Sequence, residues 1–299
     1  MTPAITPKPR VVFVDGVPMS GLLAAVEAPR AVVVAFHGGS STAAYFDCPG
    51  HPQLSLLRLG AQLGYTMVAL DRPGYGSSAP YPDAMERPEQ RAALTYGAID
   101  KILGDRLRGA GLVFVGHSAG CELAVRLAAD NRAEQAGVIG VELAGTGVRY
   151  SQAMADIMRT MATTRRAPGL RELLWEPAEL YPPDVLSDMT NSSSGARYEV
   201  EMTKNWPRRD FPALAARVRV PVHFTVAEHE RVWESDPAAV QQIAAIFTAA
   251  PRFVADRQDG TGHNISLSYQ ASDYHHRVLS FVAECVAAQE DTAGKVEAG

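Results

Sequence analysis

The chain has 299 residues, with 33 acidic against 28 basic side chains and a formal charge of −5. That length buries a sizeable core, as one large domain or a core with an insertion, and the acidic balance offers no basic surface for nucleic acid. No stretch is long and apolar enough for a transmembrane helix, the N-terminus lacks the apolar segment of a signal peptide, and Cys48, Cys121 and Cys285 form no CxxC pair; the expectation is a cytoplasmic protein without disulfide framework, metal site or membrane contact.

Residues 1–9 are proline-rich and read as a loose arm. Residues 11–14 and 21–26, with turn signals at Asp15-Gly16 and around Pro18, predict two antiparallel edge strands. The apolar run 31–36 predicts the first fully buried strand and ends in His37-Gly38-Gly39-Ser40. A helix is predicted over 54–63, a strand over 65–70, and a second helix over 88–107. Residues 111–115 predict a buried strand, 121–129 a helix, and 137–143 another strand. After a midsection, a strand at 220–226, a helix at 237–249, a strand at 252–255 and a final helix from about 272 to 288 complete the alternation. Strands alternating with helices imply a mostly parallel sheet flanked by helices, with chemistry at the C-terminal strand ends.

Gly116-His117-Ser118-Ala119-Gly120 sits where the strand at 111–115 must turn sharply into a helix. A serine in so tight a turn needs small neighbours two residues away, which Gly116 and Gly120 supply. The turn points the Ser118 hydroxyl outward and places it near a helix N-terminus, whose free N–H groups favour developing negative charge. This is the nucleophile elbow of the α/β-hydrolase fold, and from about residue 10 to residue 285 the chain resembles that superfamily.

The resemblance implies partners for Ser118, which is a weak nucleophile until a base takes its proton. His263, in the glycine-rich stretch Asp259-Gly260-Thr261-Gly262-His263-Asn264, stands where the superfamily keeps its catalytic histidine. The orienting acid is expected after the strand at 220–226, in Ala227-Glu228-His229-Glu230, with Glu230 ranked first. Glu142, at the end of the preceding core strand, ranks second, and Glu228 third. Of the other histidines, His275 and His276 read as surface or helix-packing residues, and His117 as a ring turned away from the nucleophile against the sheet. His229 falls in the acid loop, and His51 and His223 have no distinguishing context.

The oxyanion donors implied are the N–H of Ala119 and, from the His37-Gly38 loop, that of Gly39, with Ser40 as runner-up. Residues 148–210 break the strand–helix rhythm with short helical patterns rich in Met, Trp and Tyr, Met161 among them, and a loop at 191–195. The resemblance makes this segment a cap over a core formed by 1–147 and 211–299. Asp71-Arg72-Pro73-Gly74-Tyr75-Gly76-Ser77-Ser78 resembles the D-x-x-G-x-G-x-S turn of capped members and reads mainly as structural, with Asp71 and Arg72 bracing neighbouring loops. Ser40, Tyr75 and Trp206 are candidate substrate contacts. The activity implied is serine-dependent cleavage of a small ester, thioester or related acyl compound, with no metal or organic cofactor. Acyl transfer, cyclisation or acyl elimination on the same site is the alternative, and a non-catalytic ligand receptor of the same fold a third.

Overall fold

The computed structural model describes residues 5–161, 169–189 and 193–297. In the midsection, Asn191 and Ser192 of the predicted loop and the side chain of Met161 lie outside the described residues.

Eight strands form one sheet: β1 (Lys8–Val14), β2 (Val17–Ala24), β3 (Val32–Phe36), β4 (Thr66–Leu70), β5 (Leu112–His117), β6 (Val138–Ala144), β7 (Val222–His229) and β8 (Phe253–Gly262). Their order across the sheet is β1-β2-β4-β3-β5-β6-β7-β8. The β1–β2 and β2–β4 pairs are antiparallel, and every pair from β4 to β8 is parallel. This is the α/β-hydrolase architecture expected. The parallel strands carry near-continuous apolar runs because both sheet faces are covered. Val32, Val34 and Phe36 of β3 enter one core, while Val33 and Ala35 enter the other.

The helices are α1 (Leu56–Gln62), α2 (Pro88–Leu103), α3 (Gly120–Ala128), α4 (Gln152–Met161), α5 (Leu170–Trp175), α6 (Pro183–Met189), α7 (Glu199–Asn205), α8 (Phe211–Ala215), α9 (Pro237–Ile246) and α10 (Ala271–Glu297). Side chains of α2, α3, α8 and α9 pack on one sheet face, those of α1 and α10 on the other. Among the described residues, no helix is long and apolar enough to cross a membrane.

Among the boundaries that differ from expectation, three have clear physical reasons. The arm is partly strand and partly packed: Lys8 and Pro9 pair with Leu23 and Leu22 at the sheet edge, and Ile5 packs against the core. α2 stops at Leu103 rather than 107, since Gly104 takes φ +54° and closes the helix. β8 runs to Gly262, because β7 continues past Ala227 through a register shift and His229 pairs with Gly262. His263 therefore stands directly at a strand end rather than within a long loop.

The sheet also buries a charged cluster. Glu142 and His223 are paired positions on β6 and β7, and the Glu142 carboxylate bonds His223 Nδ1. Thr225 Oγ1 (2.7 Å) and Tyr274 OH (3.3 Å) also donate to Glu142, and His223 Nε2 donates to Asp256 Oδ2 (2.8 Å). Burial works to lower the His223 pKa, but Glu142 and then Asp256 outweigh it and raise it to about 9. His223 thus has a defined structural context that its sequence neighbours did not signal.

A folded-state pKa raised above the ordinary 6.5 stabilises the fold fully below that value and loses the contribution as pH rises through about 9. The melting temperature is therefore expected to fall between pH 6.5 and 9. His223→Gln strands a buried carboxylate; it should cost about 3–5 kcal/mol at neutral pH and flatten the melting profile over that window. An unchanged wild-type slope in the variant would assign the pH dependence to other groups.

Candidate active site

The turn between β5 and α3 holds Ser118 at φ +53°, a left-handed conformation rare outside glycine. Two main-chain bonds hold it there: Ser118 N–H donates to Ala144 O (2.8 Å), and Cys121 N–H donates to Ser118 O (2.9 Å). The flanking glycines are required by contact. A Cβ on Gly116 would lie 2.8 Å from Cys121 Cα, and one on Gly120 would meet the carbonyl oxygens of Phe36 and His37.

His263 reaches this hydroxyl from the end of β8, with Nε2 3.0 Å from Ser118 Oγ. Its other nitrogen, Nδ1, donates to the Glu230 carboxylate at 2.9 and 3.0 Å. That bond leaves the Nε2 lone pair for the serine proton. Glu230 lies just beyond β7, where its N–H donates to Ala227 O (3.2 Å) and closes a turn off the ladder. Its Oε1 also accepts the N–H groups of Val232 (2.8 Å) and Trp233 (3.3 Å), which fix the carboxylate's orientation. The His263 and Glu230 side chains are 1% and 4% exposed, so the pair is largely shielded from water. Ser118 remains partly accessible.

The two rival acids are not at His263. Glu142 is bound within the buried cluster of His223, Thr225 and Tyr274. Glu228 accepts the Gly260 N–H (2.7 Å) and pairs with Arg257 (3.2 Å) on the exposed side of β7 and β8. Two residues apart on a regular strand, Glu228 and Glu230 would share a face; the turn closed by the Glu230 N–H on Ala227 O takes Glu230 off the ladder and toward His263.

His117 is buried as expected, but its ring is tied to the site rather than to the sheet alone. Nε2–H donates to the main-chain carbonyl of His263 (2.8 Å), and the ring stacks on Tyr45 at 4.4 Å. Burial, chiefly, pushes its pKa down to about 3, so it holds the His263 backbone as a neutral donor. His275 is fully buried on α10, in the helix-packing role, while His276 is exposed. His51 pairs with Asp184 of α6 (2.7 Å), and His229 lies 3.7 Å from Glu228.

After β3, the loop His37–Ser40 leads away from the sheet beside the elbow. Gly39 is exposed and Ala119 partly so, and among the described residues no acceptor takes either main-chain N–H. Ser40 also holds a left-handed conformation, with φ +54°. His37 Nε2 accepts the Arg72 N–H (3.0 Å), and burial keeps this ring's pKa well below its ordinary value. Asp71 accepts Ser20 Oγ (2.5 Å) and the Ala43 N–H (2.8 Å), so the turn braces neighbouring segments as its sequence suggests.

The three candidate substrate contacts have other partners. Tyr75 is fully buried; its hydroxyl donates to Glu199 Oε2 (2.6 Å) and accepts the Ser40 N–H (3.2 Å). Trp206 donates its indole N–H to Thr146 Oγ1 (2.9 Å) and stacks on Phe211 at 4.6 Å. Ser40 is exposed beside Gly39. Glu199 was not legible in the sequence, because a glutamate at the start of a short polar helix reads as solvated. Only the fold carries it to Arg72. Among the described residues no group of three potential metal ligands occurs.

Gly120→Ala forces its methyl into the backbone of β3, and an overpacked contact of this kind costs about 1–3 kcal/mol. Chemical denaturation is expected to show that loss, whereas unchanged stability would mean the turn has slack.

A sequence profile described as the Alpha/beta hydrolase family matches residues 32–279. No curated protein matches the chain in sequence. Among solved structures, it is similar to a bromoperoxidase from Bacillus anthracis, with TM-score 0.67, 13% identity, and coverage of 92% of this chain and 100% of that one. It is also similar to an E-2-(acetamidomethylene)succinate hydrolase, with TM-score 0.66, 17% identity, and coverage of 93% and 100%. A thermophilic esterase from Thermogutta terrifontis gives TM-score 0.63 at 17% identity, with coverage of 94% and 99%. At these identities the structural likeness speaks for the fold, and the profile match across most of the chain speaks for the lineage: the protein belongs to the alpha/beta hydrolase family.

Proposed function

We propose that the protein is a serine hydrolase that cleaves a small ester, thioester or related acyl compound through an acyl-enzyme. The observation that carries this reading is the bonded series Ser118 Oγ, His263 Nε2, His263 Nδ1 and Glu230, with both links near 3.0 Å. Ser118 Oγ attacks the substrate carbonyl carbon as His263 Nε2 takes its proton. The carbonyl oxygen gains the negative charge and is met by the N–H groups of Gly39 and Ala119. The carbon–heteroatom bond then breaks, and His263 returns the proton to the departing alcohol or thiol. Water, deprotonated by the same imidazole, attacks the acyl-enzyme and regenerates Ser118. Glu230 holds the ring in the tautomer that accepts at Nε2 and offsets the charge on the imidazolium. None of these steps calls for a metal or organic cofactor.

In this reading residues 148–210 act as the cap. Contacts on both catalytic loops support that role: Leu174 O accepts Asn264 Nδ2 (2.9 Å) beside His263, and Ser193 N–H donates to Ser40 O (3.2 Å) beside Gly39.

A fluorophosphonate probe is expected to label the wild type at Ser118 and to leave Ser118→Ala unlabelled. With p-nitrophenyl acetate, Glu230→Gln should lower kcat by about 10²–10⁴-fold, as loss of the orienting carboxylate does in serine triads. Glu142→Gln and Glu228→Gln should stay near the wild-type rate while folded. A loss confined to Glu142→Gln would overturn the assignment of the acid, and a folded wild type that neither labels nor turns over esters would overturn the hydrolase reading.

A further inference from the structure

Building on that reading, we propose that Glu199 of α7 is a positioning residue for the oxyanion loop, acting through Arg72 and Tyr75 to hold Gly39 where the substrate's negative charge develops. Gly39 itself has no side chain to anchor it, so its position depends on its neighbours. Gly38 is held through its carbonyl, which accepts Arg72 Nη2 at 3.1 Å. Ser40 is held at both main-chain groups: its N–H donates to Tyr75 OH (3.2 Å), and its carbonyl accepts the Ser193 N–H (3.2 Å). These anchors matter because Ser40 occupies a left-handed conformation that an L-residue leaves when unconstrained.

Glu199 joins the anchors into one unit. Oε1 accepts Arg72 Nη2 at 2.5 Å, and Oε2 accepts the Tyr75 hydroxyl at 2.6 Å. The Arg72 side chain is 1% exposed, so without Glu199 it is a buried cation with no counter-charge and must shift toward water. That shift pulls on Gly38. The Tyr75 hydroxyl, freed of its acceptor, no longer presents its oxygen to the Ser40 N–H. The Tyr75 ring packs edge-on against His37 at 4.8 Å, so its movement is transmitted along the whole loop. Glu199 Oε2 lies 3.8 Å from where a Cβ on Gly39 would stand, close enough to act on the loop without occupying the donor position. Both Glu199 oxygens are engaged, and its role is to place other groups rather than to exchange protons. Because Glu199 and Ser193 belong to the inserted segment, the oxyanion loop is complete only when that segment is seated on the core.

The test compares Glu199→Ala, Glu199→Gln, Tyr75→Phe and the Tyr75→Phe/Glu199→Ala double variant on p-nitrophenyl acetate, with Glu201→Gln on the same helix as control. Glu199→Ala is expected to lower kcat by about ten- to a hundredfold, less than outright removal of an oxyanion donor, with KM little changed. Affinity for an alkyl trifluoromethyl ketone, whose adduct with Ser118 bears the oxyanion, should fall by the same factor. Tyr75→Phe should fall in the same direction, and the double variant should be no worse than Glu199→Ala, because the two side chains act as one unit. Glu199→Gln, which keeps an acceptor, should recover part of the loss. A raised KM at wild-type kcat, or losses that multiply in the double variant, would overturn the proposal. If Glu199→Ala fails to fold, Tyr75→Phe and Glu199→Gln decide by the same kcat and ketone readouts. Fluorophosphonate labelling separates the two levels: a labelled wild type with unaffected variants removes the positioning role and leaves the hydrolase reading, whereas an inert wild type removes both.

Discussion

The left-handed backbone at Ser118 is the constraint on which the rest of this structure depends. A non-glycine residue held there costs on the order of 1–3 kcal/mol and persists only where its surroundings over-determine it. Here the surroundings are the ends of three adjacent parallel strands. Ala144 at the end of β6 receives the Ser118 N–H, and the carbonyls of Phe36 and His37 at the end of β3 pass so close to Gly120 that no side chain fits. β5 lies between them in the sheet, so the turn is clamped from both sides. The strain aims the hydroxyl at the space that His263 enters from β8.

Three glutamates near β6 and β7 show how placement separates chemically identical groups. Glu142, on the ladder and fully buried, is neutralised by His223 and satisfied by Thr225 and Tyr274. Glu228 faces outward on the extension of β7, where the Gly260 N–H holds its pKa below the ordinary value. Glu230 leaves the ladder through a turn, and main-chain N–H groups of Val232 and Trp233 aim it at His263. A carboxylate buried in the sheet needs its own counter-charge, and Glu142 uses His223 for that purpose. It is therefore committed to the core.

The inserted segment is tied to both loops that flank Ser118. Near His263 the ties are main-chain and amide bonds: Leu174 O to Asn264 Nδ2, and Leu180 O to the Tyr269 N–H (2.9 Å). Near Gly39 the tie is ionic, between the buried Arg72 and the partly buried Glu199. A buried pair is costly to separate, since either partner left alone keeps its desolvation penalty. The ionic tie therefore favours a seated segment more strongly than exposed salt bridges such as Arg149–Glu234 can.

Local signals in the sequence determined the sheet and the elbow, and the resemblance they carry set the expected order of its partners. Continuous apolar runs mark strands covered on both faces, glycines two residues either side of Ser118 mark a turn too tight for side chains, and a histidine after the last strand falls where β8 ends. The runs and the glycines are properties of a few consecutive residues, which composition and periodicity suffice to read; the histidine is placed by the resemblance to the superfamily. Which glutamate faces His263 depends on strand register and on the turn from Ala227 to Glu230, and neither is encoded by residue type. The pairing of Glu199 with Arg72 spans 127 positions. His223 lies 81 positions from Glu142 and carries no mark of that pairing in its own neighbourhood. Only the packed sheet brings such groups within bonding distance, because burial, not local propensity, selects the partner of a charge.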